Sequence, residues 1–507
     1  MQIILNGEKL TTEELYKFGQ LAESPDSKYE ISICPEGIKR IQASEAFVQE
    51  VVKDDKAVYG INTGFGRFSE VKISNSELEE LQTNIIRSHA CGVGTPLSRS
   101  TTLAMWIVRL NVFARGHSGI RIQTLNTILA ALNKGFLADI PSRGSVGASG
   151  DLCPSAHAVL AHLGEGSCTY VKDGKIISAK AADALKDLDV KKLELGPKEG
   201  LALINGTQLT SVLATFAIEE MKALLKVANL STALMIEGLR GAHTVLDDKI
   251  LQVKNQKGIL AAGREMRAWL GDAGTEISKS HENCGRVQDA YSLRCAALVH
   301  GAIHDELLNC EEILNGEINS SSDNPLLFAE TKESLSCGNF HALYPARVSD
   351  RIASAAATLA SISERRTALA MNAGSSQLPT FLVKNGGLHS GFMMIHVTAA
   401  ALVSEAKSNS FPASVDSIPT NDDKEDHVSM GPTAGYKALH NIKLLRDVLA
   451  IEVMTACQAI DLLRPLKSSP QIERVVAKVR RIVPLLEKDR STSEEIAKLS
   501  ANLESMI

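Results

Sequence analysis

The stretch GSVGASGDLCPSAH, residues 144–157, sets three glycines and two serines ahead of an aspartate and a helix-like run. Backbone this rich in glycine turns tightly or comes close to something. The candidates are a phosphate, another chain, or the loop itself. A phosphate loop asks for Lys-Ser or Lys-Thr after its second glycine, and Gly150 is followed instead by Asp151 and Leu152. A dinucleotide loop needs a β-α-β frame, which FLADIPSRG followed by helical sequence does not give. His300 and His304 stand four apart without the glutamate of a His-Glu-x-x-His site, so they read as packing or surface histidines rather than metal ligands. The loop acting on itself leaves one further chemistry. The Gly150 nitrogen, unhindered, can attack the Ala148 carbonyl carbon and close a five-membered ring. Loss of two waters, one taking the Ser149 hydroxyl, leaves an exocyclic methylidene, an electrophile that no side chain supplies. Taken alone, Ala-Ser-Gly is an ordinary turn.

The elements that must position such a loop are mostly helices. Of 507 residues, 44% are hydrophobic, 22% charged and only 4% aromatic, with Ala, Leu and Ile abundant. The 54 basic and 59 acidic residues leave a net charge of −5 with no basic block, which disfavours nucleic acid as a partner. Nine cysteines, scattered and without a Cys-x-x-Cys pair, read as reduced thiols in a cytoplasmic protein. The start, MQIILNGEKL, lacks the features of a signal peptide, and no apolar run is long enough for a membrane span.

Near the N-terminus QIIL and KYEISI read as strands, with a helix beginning around Thr12 and Glu14. CTYVKDGKIIS (168–178) reads as a hairpin turning at Asp173-Gly174. Segments 206–240, 286–315, 345–371, 391–409 and 436–464 are long and Ala/Leu-rich, which predicts a central helix bundle with faces left for neighbouring subunits. The division drawn from this change of scale is 1–200 and 201–507.

The loop does not stand alone. Together with YGINTGFG (59–66), SHACGVG (88–94), EGLALINGTQ (199–208), VQDAYSLRC (287–295), SSDNPLLF (321–328), GNFHA (338–342), SQLPTFLV (376–383) and DSIPTNDDKEDHVSM (416–430), it resembles the ammonia-lyases that carry a methylidene-imidazolone (MIO) group. The likeness runs in order from about residue 55 to 465. It implies a mainly α, ammonia-lyase/fumarase-like architecture, with an N-terminal ring-bearing region over the long bundle. It also implies a homotetramer whose active sites draw on more than one chain.

By that resemblance the MIO forms from Ala148, Ser149 and Gly150, and no external cofactor or metal is needed. Asn205 would hydrogen-bond the ring or the substrate. Tyr59, on a glycine-rich lid, and Tyr291 match catalytic tyrosines, one of which takes the β-proton. Arg294 matches the clamp for the substrate carboxylate, and Gln288 and Phe340 match neighbours of the pocket. Asp151 reads first as the cap of the helix it precedes, and second as a helper in ring formation.

The pocket positions choose the amino acid. Phenylalanine-acting members resemble one another in a Phe-Leu pair, and tyrosine-acting members in His-Leu, where this chain has Ser88-His89. Glu425 stands where aromatic-acting members carry glutamine. Both positions suit an imidazole, so the implied reaction converts L-histidine to trans-urocanate and ammonia, the first step of histidine degradation. The rivals are an aromatic lyase or aminomutase on the same scaffold, and a helical scaffold without catalysis. Three positions depart from the pattern: Ala290 replaces a usual proline, His396 a usual glutamine and Lys424 another glutamine. His396 is expected to pack between helices.

Overall fold

A computed structural model describes residues 1–54, 58, 60–64, 73–74, 77–271, 274–280 and 287–507. The chain divides into two compact units. The first comprises Met1–Phe216, Glu311–Asp350 and Pro412–Tyr436; the second comprises Ala217–Cys310, Arg351–Phe411 and Lys437–Ile507.

In the first unit, strands Gln2–Leu5 and Glu30–Ile33 pair in parallel, with Ile3, Leu5, Ile31 and Ile33 on the buried side. Helix Thr12–Gln20 opens on a capping box in which Thr11 and Glu14 satisfy each other's backbone amides. It packs on helix Arg99–Ala114, every residue of which from Ser100 onward is buried. A helix surrounded on all sides can afford polar residues only where they are bonded. Asn111 meets that condition, accepting from the Gly7 amide at 2.9 Å and donating to the Ile318 carbonyl at 2.9 Å. The expected hairpin is Ser167–Lys172 with Lys175–Lys180. Asp173 and Gly174 both take positive φ, as a two-residue hairpin turn requires.

Helix Leu152–His162 packs against helices Leu78–His89 and Glu199–Ile204. At its far end His162 is buried edge-on to Trp106 and Phe136, and burial pushes its pKa down to about 3. An unfolded histidine takes a proton near pH 6.5. The unfolded chain therefore binds more protons between about pH 6.5 and 3, and stability is lost as pH falls through that window, at up to about 1.4 kcal/mol per pH unit from this residue. In H162F, thermal melts across pH 7 to 4 are expected to show a shallower fall than in the wild type; equal slopes would remove His162 as the cause.

The second unit is built on long helices. Gln208–Gly238, Ala296–Glu317, Leu343–Met371 and Gly431–Leu462 run for 31, 22, 29 and 32 residues, and the unit boundaries fall inside all four. Within this unit Arg366 and Glu452 form a fully buried ion pair. Ser231 and Ser363 donate to Glu452 Oε2 at 2.8 and 2.6 Å, so the carboxylate is satisfied from two neighbouring helices. The expected helix at 286–315 is in fact two. A single turn, Tyr291–Arg294, ends where Cys295 leaves helical geometry (φ −99°, ψ 6°), and Ala296–Glu317 starts anew.

Candidate active site

The glycine-rich loop is fixed from both sides by backbone. Strand Pro141–Arg143 leads into it and pairs with Val93–Pro96. Met430 N donates to Val146 O at 2.8 Å, and Ser429 Oγ to Gly147 O at 2.9 Å. Gly150 has φ +74° and lies so close to Gly206 that a Cβ would sit 2.2 Å from the Gly206 oxygen. Only glycine fits there. Asp151 N donates to that same oxygen at 2.7 Å. Asn205 Nδ2 then reaches the Ser149 carbonyl oxygen at 2.8 Å. The peptide oxygen between Ser149 and Gly150 thus has a donor aimed at it by a neighbouring segment.

Asp151 corrects a sequence expectation. It stands at the N-cap position of Leu152–His162, yet its side chain makes no cap bond to that helix. The carboxylate instead accepts from the Thr210 amide (2.7 Å) and hydroxyl (3.1 Å) and from Ser145 Oγ (3.1 Å), so it ties the loop to the start of helix Gln208–Gly238. Burial pushes its pKa up to about 6 despite those bonds.

Ala148, Ser149, Gly150, Asn205, His89 and Phe340 line one cavity of about 560 Å³, together with Ser88, Thr420 and Glu425, a size suited to a small molecule. Ser149 Oγ donates to Glu425 Oε1 at 2.6 Å, and Thr420 Oγ1 to Glu425 Oε2 at 2.6 Å. Thr420 and Glu425 also bridge through their backbones, closing a loop in which Asn421, Asp422 and Asp423 all have positive φ. Short Asn and Asp side chains tolerate that conformation better than most.

His89 ends helix Leu78–His89, with Nδ1 2.8 Å from the Ile85 carbonyl. A carbonyl only accepts, so Nδ1 carries the hydrogen and Nε2 keeps its lone pair. Burial lowers the His89 pKa, opposed by the Ile85 bond and the charge of Glu425. In its neutral form the ring offers an acceptor at Nε2.

Thr420 and the partners of Asp151 went unread in the sequence. Thr420 lies five residues before Glu425 inside a quoted motif, but no spacing rule marks it. Three other candidates, Gln288, Tyr291 and Arg294, belong to the second unit, and none is among the residues lining this cavity. Tyr291 is 70% exposed, and the Arg294 guanidinium carbon lies 4.8 Å from the centre of its ring. Arg294 Nε is buried with no hydrogen-bond partner among the described residues. Gln288 is exposed. Tyr291 lines a separate cavity of about 640 Å³ with Ser292, Cys295, Arg365 and Lys407. Tyr59 lies outside the described residues, as does Cys284.

The aromatic amino acid lyase family model matches residues 15–481. The chain belongs to that family. As a lyase of this family it resembles the histidine ammonia-lyase of Bos taurus, with 44% identity over 496 residues, 97% of this chain and 74% of the relative. The histidine ammonia-lyase of Anaeromyxobacter sp. (strain K) is 42% identical over 504 residues, 98% of each chain. The crystal structure of histidine ammonia-lyase from Trypanosoma cruzi superposes with a TM-score of 0.90 at 41% identity, covering all of this chain and 94% of that one.

Among the described residues no cluster of three His, Cys, Asp or Glu could hold a metal, and no helix is long and apolar enough to cross a membrane. His300 is buried, with Nδ1 2.8 Å from Asn229 Oδ1, and burial holds its pKa well below the usual value. His304 is half-buried beside Asp305. His396 is half-buried, and from helix Met393–Ser408 its Nε2 lies 2.7 Å from Glu364 Oε1 on helix Leu343–Met371. Lys424 is exposed, and Ala290 caps the turn Tyr291–Arg294.

Proposed function

We propose that this lyase is a histidine ammonia-lyase, which removes ammonia from L-histidine to leave trans-urocanate, with its electrophile an MIO ring made from Ala148, Ser149 and Gly150. One observation carries the substrate assignment: Ser149, His89 and Glu425 share one cavity, so two imidazole-binding groups face the residue that becomes the methylidene. The residues present suit the ring. Gly150 meets Gly206 at a distance no side chain allows, and Asn205 already donates to the carbonyl oxygen that the ring would retain. When formed, the ring supplies an electrophile for the substrate, which lets an amine depart as ammonia.

The chain's own groups do the rest. Asn205 holds its donor at an oxygen where negative charge would collect. His89 Nε2 and the Glu425 carboxylate accept from the two N–H groups of the substrate imidazolium, and Phe340 closes the apolar side. Arg294 pairs the substrate carboxylate through its fork, Gln288 borders the pocket, and Tyr59 or Tyr291 takes the β-proton. A tyrosine does so only where positive potential lowers its pKa, and Arg294 stands beside Tyr291. Exposed Tyr291 and Gln288, with exposed apolar Leu298, Leu308, Met394 and Val397 on long helices, support assembly into a homotetramer whose sites combine residues of several chains. Residence in the cytoplasm belongs to the same reading and rests on the scattered, odd-numbered cysteines.

The test offers histidine, phenylalanine and tyrosine separately to purified protein and follows ammonia and the unsaturated acid. Urocanate from histidine alone is expected. Turnover of phenylalanine or tyrosine instead would overturn the pocket assignment and leave the elimination chemistry standing.

A further inference from the structure

Beneath the strap that holds the ring-forming loop lies a fully buried charged group. Arg109, on helix Arg99–Ala114, is 1% exposed and its guanidinium sits 4.7 Å over the Phe113 ring. Its Nη1 donates to Asn205 O at 2.7 Å and to Ser322 O at 3.1 Å, and Nη2 donates to Ala202 O. Nη2 also lies 3.3 Å from Asp323 Oδ2, on which buried Lys198 converges from 3.5 Å. Ala202 and Asn205 are at the C-terminal end of helix Glu199–Ile204, where backbone oxygens have no helical partner. One planar fork therefore satisfies that helix end and joins it to the 322–323 segment.

The segment so held is the one that grips the loop. Asn205 donates to the Ser149 oxygen, and Gly206 accepts from Asp151 and bridges Gly150. Gly206 has φ +140°, and a Cβ there would sit 2.3 Å from Ser322 O and 2.9 Å from Arg109 Nη1, so the strap is pressed directly onto the guanidinium. We propose that Arg109 is a positioning residue for ring formation: by clamping the Asn205–Gly206 strap it holds the Ser149 carbonyl and Gly150 in the turn that closes. This rests on the reading that Ala148-Ser149-Gly150 cyclises. Closure needs the Gly150 nitrogen and the Ala148 carbon in near-attack geometry, and small misplacements of such groups are costly in rate. Arg109 does so from behind the strap, through Asn205 and Gly206.

The alternative role for Arg109 is to balance the charge of Asp323. R109K separates the two, because it keeps a cation beside Asp323 but has no fork to span Asn205 O and Ser322 O. The experiment purifies wild type, R109K and R109Q, selects the folded fraction, and measures intact mass, melting temperature, and kcat and KM for histidine. The wild type is expected two waters lighter than its sequence. R109K is expected to melt near the wild type yet remain incompletely cyclised, with kcat lower by about tenfold and KM little changed; R109Q is expected to lose both stability and cyclisation. Should R109Q fail to fold, R109K carries the test alone. Full cyclisation and wild-type kcat in R109K would overturn the proposal. A wild type at unreduced mass would instead overturn the ring itself, so the two failures are distinct.

Discussion

Replacing Ser149 with alanine is expected to abolish turnover of histidine while leaving the fold in place. Alanine has a β-carbon but no oxygen to leave from it, so even if Gly150 closed on Ala148 no methylidene could form. The electrophile is then missing altogether, and loss of such a group typically lowers kcat by about 10³-fold or more. The cost to stability is small by comparison. Ser149 is half-buried and gives up one hydrogen bond, to Glu425 Oε1, worth about 1 kcal/mol. Intact mass provides the independent check. The wild type should be two waters light, whereas S149A should lose at most the single water of ring closure. An S149A protein that kept more than about a tenth of wild-type kcat would show that the elimination needs no electrophile from this loop.

How much of this was legible in the sequence depends on the range over which each residue acts. The hairpin at Asp173-Gly174 was readable because a two-residue turn writes its geometry into adjacent residue types. The long helices were readable because their apolar periodicity persists for many turns, although the break at Cys295 carries no glycine or proline to announce it. Asp151 shows the limit. Its position before a helix fits a cap, but the competing donors, Thr210 and Ser145, come from 59 residues along the chain and from within the loop, and they win. Arg109 is more hidden still. In sequence it is one polar residue within an apolar helix, and the carbonyls it bonds lie 93 to 213 residues away. Ser149, His89, Asn205 and Glu425 could be named because their motifs resemble a family. The shared cavity and the orientation of His89 Nε2 come only from the packed chain.

That orientation sharpens what Glu425 does, and Glu425→Gln is the variant that tests it. Both carboxylate oxygens are engaged before ring formation, Oε2 by Thr420 and Oε1 by the Ser149 hydroxyl. In the proposed reading, ring formation would expel that hydroxyl as water and so free Oε1 to accept from a substrate N–H. His89 presents a second acceptor at Nε2. Two acceptors suit an imidazolium, which has two N–H groups, and are poorly matched to a phenyl ring, which has none. Glutamine in place of Glu425 has the same shape and can still accept from Thr420, but it has no charge and only one acceptor oxygen. The loss of a charged hydrogen bond costs about 1.5–3 kcal/mol, so kcat/KM for histidine should fall by about tenfold to 150-fold. The ratio of histidine to phenylalanine turnover should fall in the same direction. Intact mass again separates the causes, because recognition is at fault only if E425Q is still two waters light. If E425Q keeps its full mass, Glu425 acts earlier, as the acceptor that draws the Ser149 hydroxyl out of the loop.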